Sequence, residues 1–161
     1  MEVLALLEKG FWSGFAALGF AILFNVPVRT LFAIWCISAI GGIAKFFLLD
    51  FQFNIILASF VGSSIIGLLS IPLAHKIHSP PLIFSIPAVI PMVPGAIAYR
   101  MMLELIGIAV HTTESGMNEV LVDTMQNALK VVFILLSLAV GVAVPMLITR
   151  KESAKRIKIK L

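Results

Sequence analysis

Nearly every stretch of this chain is an apolar run about as long as a lipid bilayer is thick. A membrane-spanning helix needs roughly 20 predominantly apolar residues, and the 161-residue sequence holds about five such lengths and little else. Charge points the same way: 12% of residues are charged and 60% are apolar, with a mean hydropathy of +1.10. A soluble domain carries roughly a quarter of its residues as charges, which it needs for its solvated shell. The expected fold is therefore an all-α integral membrane protein. It reads as a single transmembrane domain over residues 1–149, followed by a basic tail over 150–161.

The spans are expected near residues 10–26, 30–49, 55–74, 82–110 and 131–148. Leu4 to Leu7 can add an interfacial turn before the first. Gly10 and Gly14 open that span as a small-xxx-small pair. Ser59, Ser63 and Gly67 form a stripe along the third, and Ser137, Gly141 and Pro145 form one along the last. Such stripes let helices approach closely where lipid gives no hydrophobic drive for association; the alternative is a polar pore lining. The fourth stretch is longer than one straight span needs, and Pro87, Pro91 and Pro94-Gly95 interrupt its first half. Proline lacks a backbone donor and clashes with the preceding turn, so this helix should be kinked or broken.

Half of the 12 Lys and Arg residues lie in the tail between Arg150 and Lys160. The tail reads as a cytoplasmic topology anchor, with a lipid or nucleic-acid patch as the alternative. With five spans the N-terminus is then outside. Arg29 and Lys76 fall in inner connections, and Asp50 and the Glu114–Asp123 segment fall outside, as the positive-inside rule expects. Glu2 and Glu8 replace the basic start of a signal peptide, so the first helix is expected to stay. Cys36, the one cysteine, lies in an apolar run and cannot form an intrachain disulfide.

No catalytic motif is visible: no GxSxG, HExxH, CxxC or phosphate-cradling glycine loop. His75 and His78 stand three apart, but prolines follow and no carboxylate or cysteine is near, so no metal site and no cofactor are expected. The informative segment runs from Ile86 to Arg100. Lipid cannot satisfy the backbone groups that a helix break frees, so the break must face protein or a water-filled cavity. A helix restarting after Pro94-Gly95 offers free N–H groups and a positive dipole end to a carboxylate. A plain structural kink is the other reading. Arg100 and Glu104 share a helix face and can pair, or Arg100 can bind substrate. Lys45 can snorkel outward or line the path. Arg29 is either a topology charge or an inner gate for an anion.

Two segments, from Phe20 through Asn25-Val26-Pro27 to Arg29 and from Ile90 through Pro91-Met92-Val93-Pro94-Gly95 to Tyr99, resemble the bacterial threonine/serine exporter family. The chain is most similar to its short-subunit, YjjB-like branch. The resemblance covers nearly the whole chain in length, span count and basic tail. It implies a bacterial inner-membrane exporter, not an enzyme. Its partners would be the lipid bilayer, a small carboxylate (threonine, serine or a succinate-like dicarboxylate) and a larger, YjjP-like subunit or further copies of itself; nucleic acid is not among them. By position it supports Asn25, Pro27, Arg29, Pro91, Pro94, Gly95 and Tyr99 as family motif positions. Together with the residue reading, this gives Pro91, Pro94, Gly95, Tyr99 and Arg100 as candidate substrate-binding residues. Asn25, Pro27, Arg29 and Lys45 are the candidates for the path or its gate. One departure stands out: a histidine is expected in the glycine-rich middle of the second span, where this chain reads Ile40-Gly41-Gly42-Ile43. The competing reading is a membrane scaffold that stabilises a larger partner without transporting.

Overall fold

The computed structural model describes residues 3–110 and 117–149. The basic tail and the stretch 111–116, which holds His111 and Glu114, lie outside the described residues. Six helices are arranged in order: α1 (Val3–Leu23), α2 (Val28–Asp50), α3 (Ile55–Ile77), α4 (Pro81–Val89), α5 (Gly95–Val110) and α6 (Met117–Thr149). A single 3-10 turn, Ile90–Met92, continues α4. There is no strand among the described residues. Helices α1, α2, α3 and α6 are long and apolar enough to cross a membrane. The pair Pro81–Met92 and Gly95–Val110 is bent by 57° and makes a fifth crossing if it acts as one broken span.

The first three connections use the same device. Asn25, Gln52 and His78 have φ of 54°, 63° and 54°. Each sits just past a helix end, in the left-handed conformation that lets the next N–H reach back to an orphan carbonyl. Val26 N–H reaches Ala21 O at 3.0 Å, Phe53 N–H reaches Leu48 O at 3.1 Å, and Ser79 N–H reaches Ala74 O at 3.1 Å. Pro27 and Pro80 then occupy the N-cap positions of α2 and α4, and Asn54 caps α3 by accepting from Ile56 N–H at 3.0 Å. His75 lies within α3 and His78 at its C-cap, not in a free loop; the polar character of this stretch concealed how far the helix runs.

The small-residue stripes are packing surfaces. Gly10 and Gly14 hold α1 against Ile43 and Trp35 of α2, where any Cβ would collide. Ser59, Ser63 and Gly67 are buried. Ser63 Oγ donates to Phe60 O at 3.0 Å and reaches Ser137 O of α6 at 3.4 Å, and a Cβ on Gly67 would lie 3.0 Å from Val142 O. Ser63, Ser64 and Ser70 of α3 thus spend their hydroxyls on helix carbonyls and on the α3–α6 seam, whereas the Ser59 hydroxyl is buried without a hydrogen-bond partner among the described residues.

Two helices begin earlier than their hydropathy indicated. α1 starts at Val3, absorbing the Leu4–Leu7 turn, and α6 starts at Met117 where the polar reading put a loop as far as Asp123. At about 1.5 Å per residue α6 is about 50 Å long, more than the roughly 30 Å hydrocarbon core. Along it Thr124, Val131, Ile134, Ser137 and Leu138 are buried. α5 packs on α6, with Glu104 meeting Asn127. Outward, large apolar side chains such as Phe32, 77% exposed, are left for lipid or other subunits.

Candidate functional site

The site grows out of the broken fourth element. Pro91 has no N–H to give to the preceding turn, and Val93 is extended (ψ 133°). Regular helical bonding resumes only where Ala98 N–H meets Pro94 O at 3.0 Å. Carbonyls before and at the break therefore lose their helical partners. Buried carbonyls in a membrane protein must find others. α2 supplies them. Ser38 Oγ lies 3.1 Å from Ala88 O, and Lys45 Nζ donates to Met92 O at 2.7 Å. Ser38 and Lys45 are two helical turns apart, so they stand on one face of α2. Ser13 of α1 joins them, its hydroxyl 3.2 Å from that of Ser38.

Glycines let the break sit this close. A Cβ on Gly41 would lie 2.6 Å from Ile66 Cγ1 and 3.0 Å from Met92 Cε. One on Gly62 of α3 would lie 2.9 Å from Gly41 O and 3.2 Å from Lys45 Cβ. One on Gly42 would lie 2.9 Å from Ser13 Oγ. The positions where a histidine is expected are therefore filled by the helix crossing itself.

Lys45 is 7% exposed, so it does not snorkel outward. The proline break places an unsatisfied carbonyl within reach and holds the amine inward. It lines a cavity of about 500 Å3 whose walls come from α1 (Glu8, Lys9, Ser13), α2 (Gly42, Lys45) and the 3-10 turn (Pro91, Met92). That volume lies within the roughly 300–1,000 Å3 of small-molecule sites. Lys9 is held over the Phe46 ring, 5.3 Å from its centroid. A lysine at membrane depth is costly unless anions or dipoles meet it. Among the described residues its only hydrogen bond runs to Met92 O, so an anion in the cavity would complete its shell.

The other sequence candidates fall in two further places. Asn25, Pro27 and Arg29 lie at the α1–α2 connection; Pro27 O accepts Thr30 Oγ1 at 2.8 Å, and Arg29 Nη2 reaches Ser79 Oγ at 3.5 Å. They join the α3–α4 connection and do not line the Lys45 cavity. Pro94 is buried and Pro91 half-buried, whereas Gly95, Tyr99 and Arg100 are exposed. Nothing lies within 4 Å of where a Gly95 Cβ would be. Within this chain, then, only Pro91 and Lys45 of the candidates come together. Glu104 does not pair with Arg100: its carboxylate accepts from Asn127 Nδ2 of α6 at 3.2 Å to each oxygen. The early start of α6 brings that amide alongside. Glu8, Lys9 and Ser13 were missed by sequence reasoning, because only the packing of α1 on α2 turns them toward the break.

A family description now fits this frame. The model of the threonine/serine exporter family (ThrE) matches residues 9–148, which include every helix but the ends of α1 and α6. The chain belongs to this family. It is a family of transporters rather than enzymes, and the apolar helices make its member a multi-pass inner-membrane protein in contact with lipid. An uncharacterised protein of Haemophilus influenzae is 31% identical over 150 residues, covering 93% of this chain and 50% of the relative. The chain thus spans about half the length of that curated relative. No solved structure matches.

Proposed function

We propose that this chain is the short subunit of a secondary exporter for small carboxylate-bearing metabolites, threonine/serine or a succinate-like dicarboxylate, and that the substrate carboxylate passes over Lys45 at the helix break. The observation that carries this reading is the Lys45 amine, buried against a broken helix and open to a cavity of metabolite size. Transporters commonly build their sites from such discontinuous helices. No ATP-binding motif is present in the sequence, so the free energy comes from a proton or substrate gradient. Pro94, Gly95, Tyr99 and Arg100 continue the route along α5, and Asn25, Pro27 and Arg29 guard its other end.

The exporter works with a larger family subunit or with copies of itself. Support comes from α5, which buries no residue in this chain and leaves Tyr99 66% exposed, and from the match to only half of a longer relative. Arg100 on the same helix would be costly against lipid and is better met by protein or water. The N-terminus is outside and the C-terminus cytoplasmic. The test is efflux from cells preloaded with labelled L-threonine or succinate, carrying this chain alone, a larger family subunit alone, or both. Efflux that needs this chain supports the reading. If the larger subunit exports at the full rate once its abundance is matched, this chain is a scaffold and the reading fails.

A further inference from the structure

We infer that Glu8 sets the charge selectivity of the Lys45 cavity, receiving the ammonium group of an α-amino acid whose carboxylate lies at Lys45. The inference rests on the reading of this cavity as the substrate route and adds to it a residue outside the family motif segments. The cavity carries one acid, Glu8, and two bases, Lys9 and Lys45. The two bases differ in what already occupies them. Lys9 is exposed and held over the Phe46 ring at 5.3 Å, a contact that fixes it to the wall. Lys45 is buried, with its amine on Met92 O at 2.7 Å.

Glu8 stands on α1, the helix that forms the wall facing α2, and its side chain is exposed where it borders the cavity. An acid and a base lining one cavity complement a zwitterion. The same acid repels the second carboxylate of a dicarboxylate. The low dielectric strengthens the charge of buried Lys45, whereas exposed Glu8 acts through a direct charge-assisted hydrogen bond to the ammonium. The Ser13 hydroxyl, 3.2 Å from that of Ser38, lines the same cavity.

The experiment is counterflow of labelled L-threonine in membrane vesicles carrying the full chain with its larger family subunit. Inhibition by unlabelled L-threonine is compared with inhibition by 3-hydroxybutyrate, which keeps a carboxylate and a hydroxyl but has no ammonium. The unmodified protein should favour threonine by about tenfold, the usual weight of one charge-assisted hydrogen bond. Glu8→Gln, with membrane abundance measured in parallel, should bring the two inhibitors within about twofold of each other, and succinate should inhibit more strongly than before. Lys45→Met should weaken threonine and 3-hydroxybutyrate alike. If Lys45→Met weakens both while Glu8→Gln leaves their ratio unchanged, the Glu8 assignment alone falls. If Lys45→Met changes neither, the cavity is not the substrate route and both readings fall. Absence of threonine counterflow in the unmodified protein, with succinate transported, overturns the inference as well.

Discussion

Lys45→Met removes the buried amine and keeps most of its stem. The stem matters for packing, since a Cβ on Gly62 would already lie 3.2 Å from Lys45 Cβ. The lost bond to Met92 O leaves a carbonyl without its partner, at a cost of about 1–3 kcal/mol. Part of that is offset because a polar amine no longer has to be buried. The net change in stability should therefore stay within about 2 kcal/mol, and the protein should still accumulate in the membrane. Transport should respond far more. A charge-assisted hydrogen bond to a substrate carboxylate contributes roughly 1.5–3 kcal/mol, so half-saturation should rise roughly ten- to a hundredfold. Lys45→Arg should recover part of the loss, because charge is kept while the longer planar group must find new room. The assay is initial efflux rate against internal substrate concentration, normalised to membrane abundance. Unchanged efflux per folded molecule in Lys45→Met would refute the argument. A collapse of abundance with normal residual efflux would mean that Lys45 only caps the break.

Other perturbations reach the rest of the account. Gly62→Val should lower detergent thermal stability by an amount equivalent to about 1–3 kcal/mol, because its Cβ would meet the Gly41 carbonyl at 2.9 Å, while Gly107→Ala, with nothing within 4 Å, should not. Equal melting temperatures for the two would contradict the α2–α3 crossing. Gly95→Leu should insert normally, since its Cβ meets open space, yet lose efflux because substrate or a neighbouring subunit uses that space; normal efflux per folded molecule removes Gly95 from the route. Reporters at the N-terminus and at Leu161 should fall on opposite sides, with Leu161 cytoplasmic. Reporters on the same side would mean that the Pro81–Val110 pair re-enters without crossing.

The apolar helices were legible because runs long enough to cross a membrane are separated by residues that do not continue a helix, such as Asn25-Val26-Pro27 and Ser79-Pro80. The break was legible from Pro91 and Pro94, which remove donors at a known place; Pro87, expected to interrupt the helix too, lies inside α4, which runs through it to Val89. What filled the freed carbonyls was not legible, because Lys45 meets a residue 47 positions away. A signal for it did exist: Ser38 and Lys45 are polar residues two turns apart on one face of an otherwise apolar helix. The left-handed caps at Gln52 and His78 carried a weaker signal, because glycine, the usual marker of that conformation, is absent from both. The start of α6 was hidden because Glu119, Asp123, Gln126, Asn127 and Lys130 lower the hydropathy of this stretch without interrupting the helix. Glu8 read only as evidence against a signal peptide until α1 was laid against α2.

Substrate protection of a cavity thiol tests the central claim most directly. In a Cys36→Ser background, which leaves no other thiol, Ser13→Cys places one sulfur on the wall of the cavity that Glu8 and Lys45 also line. A membrane-impermeant thiol reagent is applied to vesicles carrying the chain and its larger subunit, with and without saturating L-threonine or succinate. The account predicts that the thiol is labelled from the aqueous side and that the exported substrate slows labelling severalfold, while a non-carboxylate solute of similar size does not. Labelling that proceeds at one rate whether or not the exported substrate is present would contradict it.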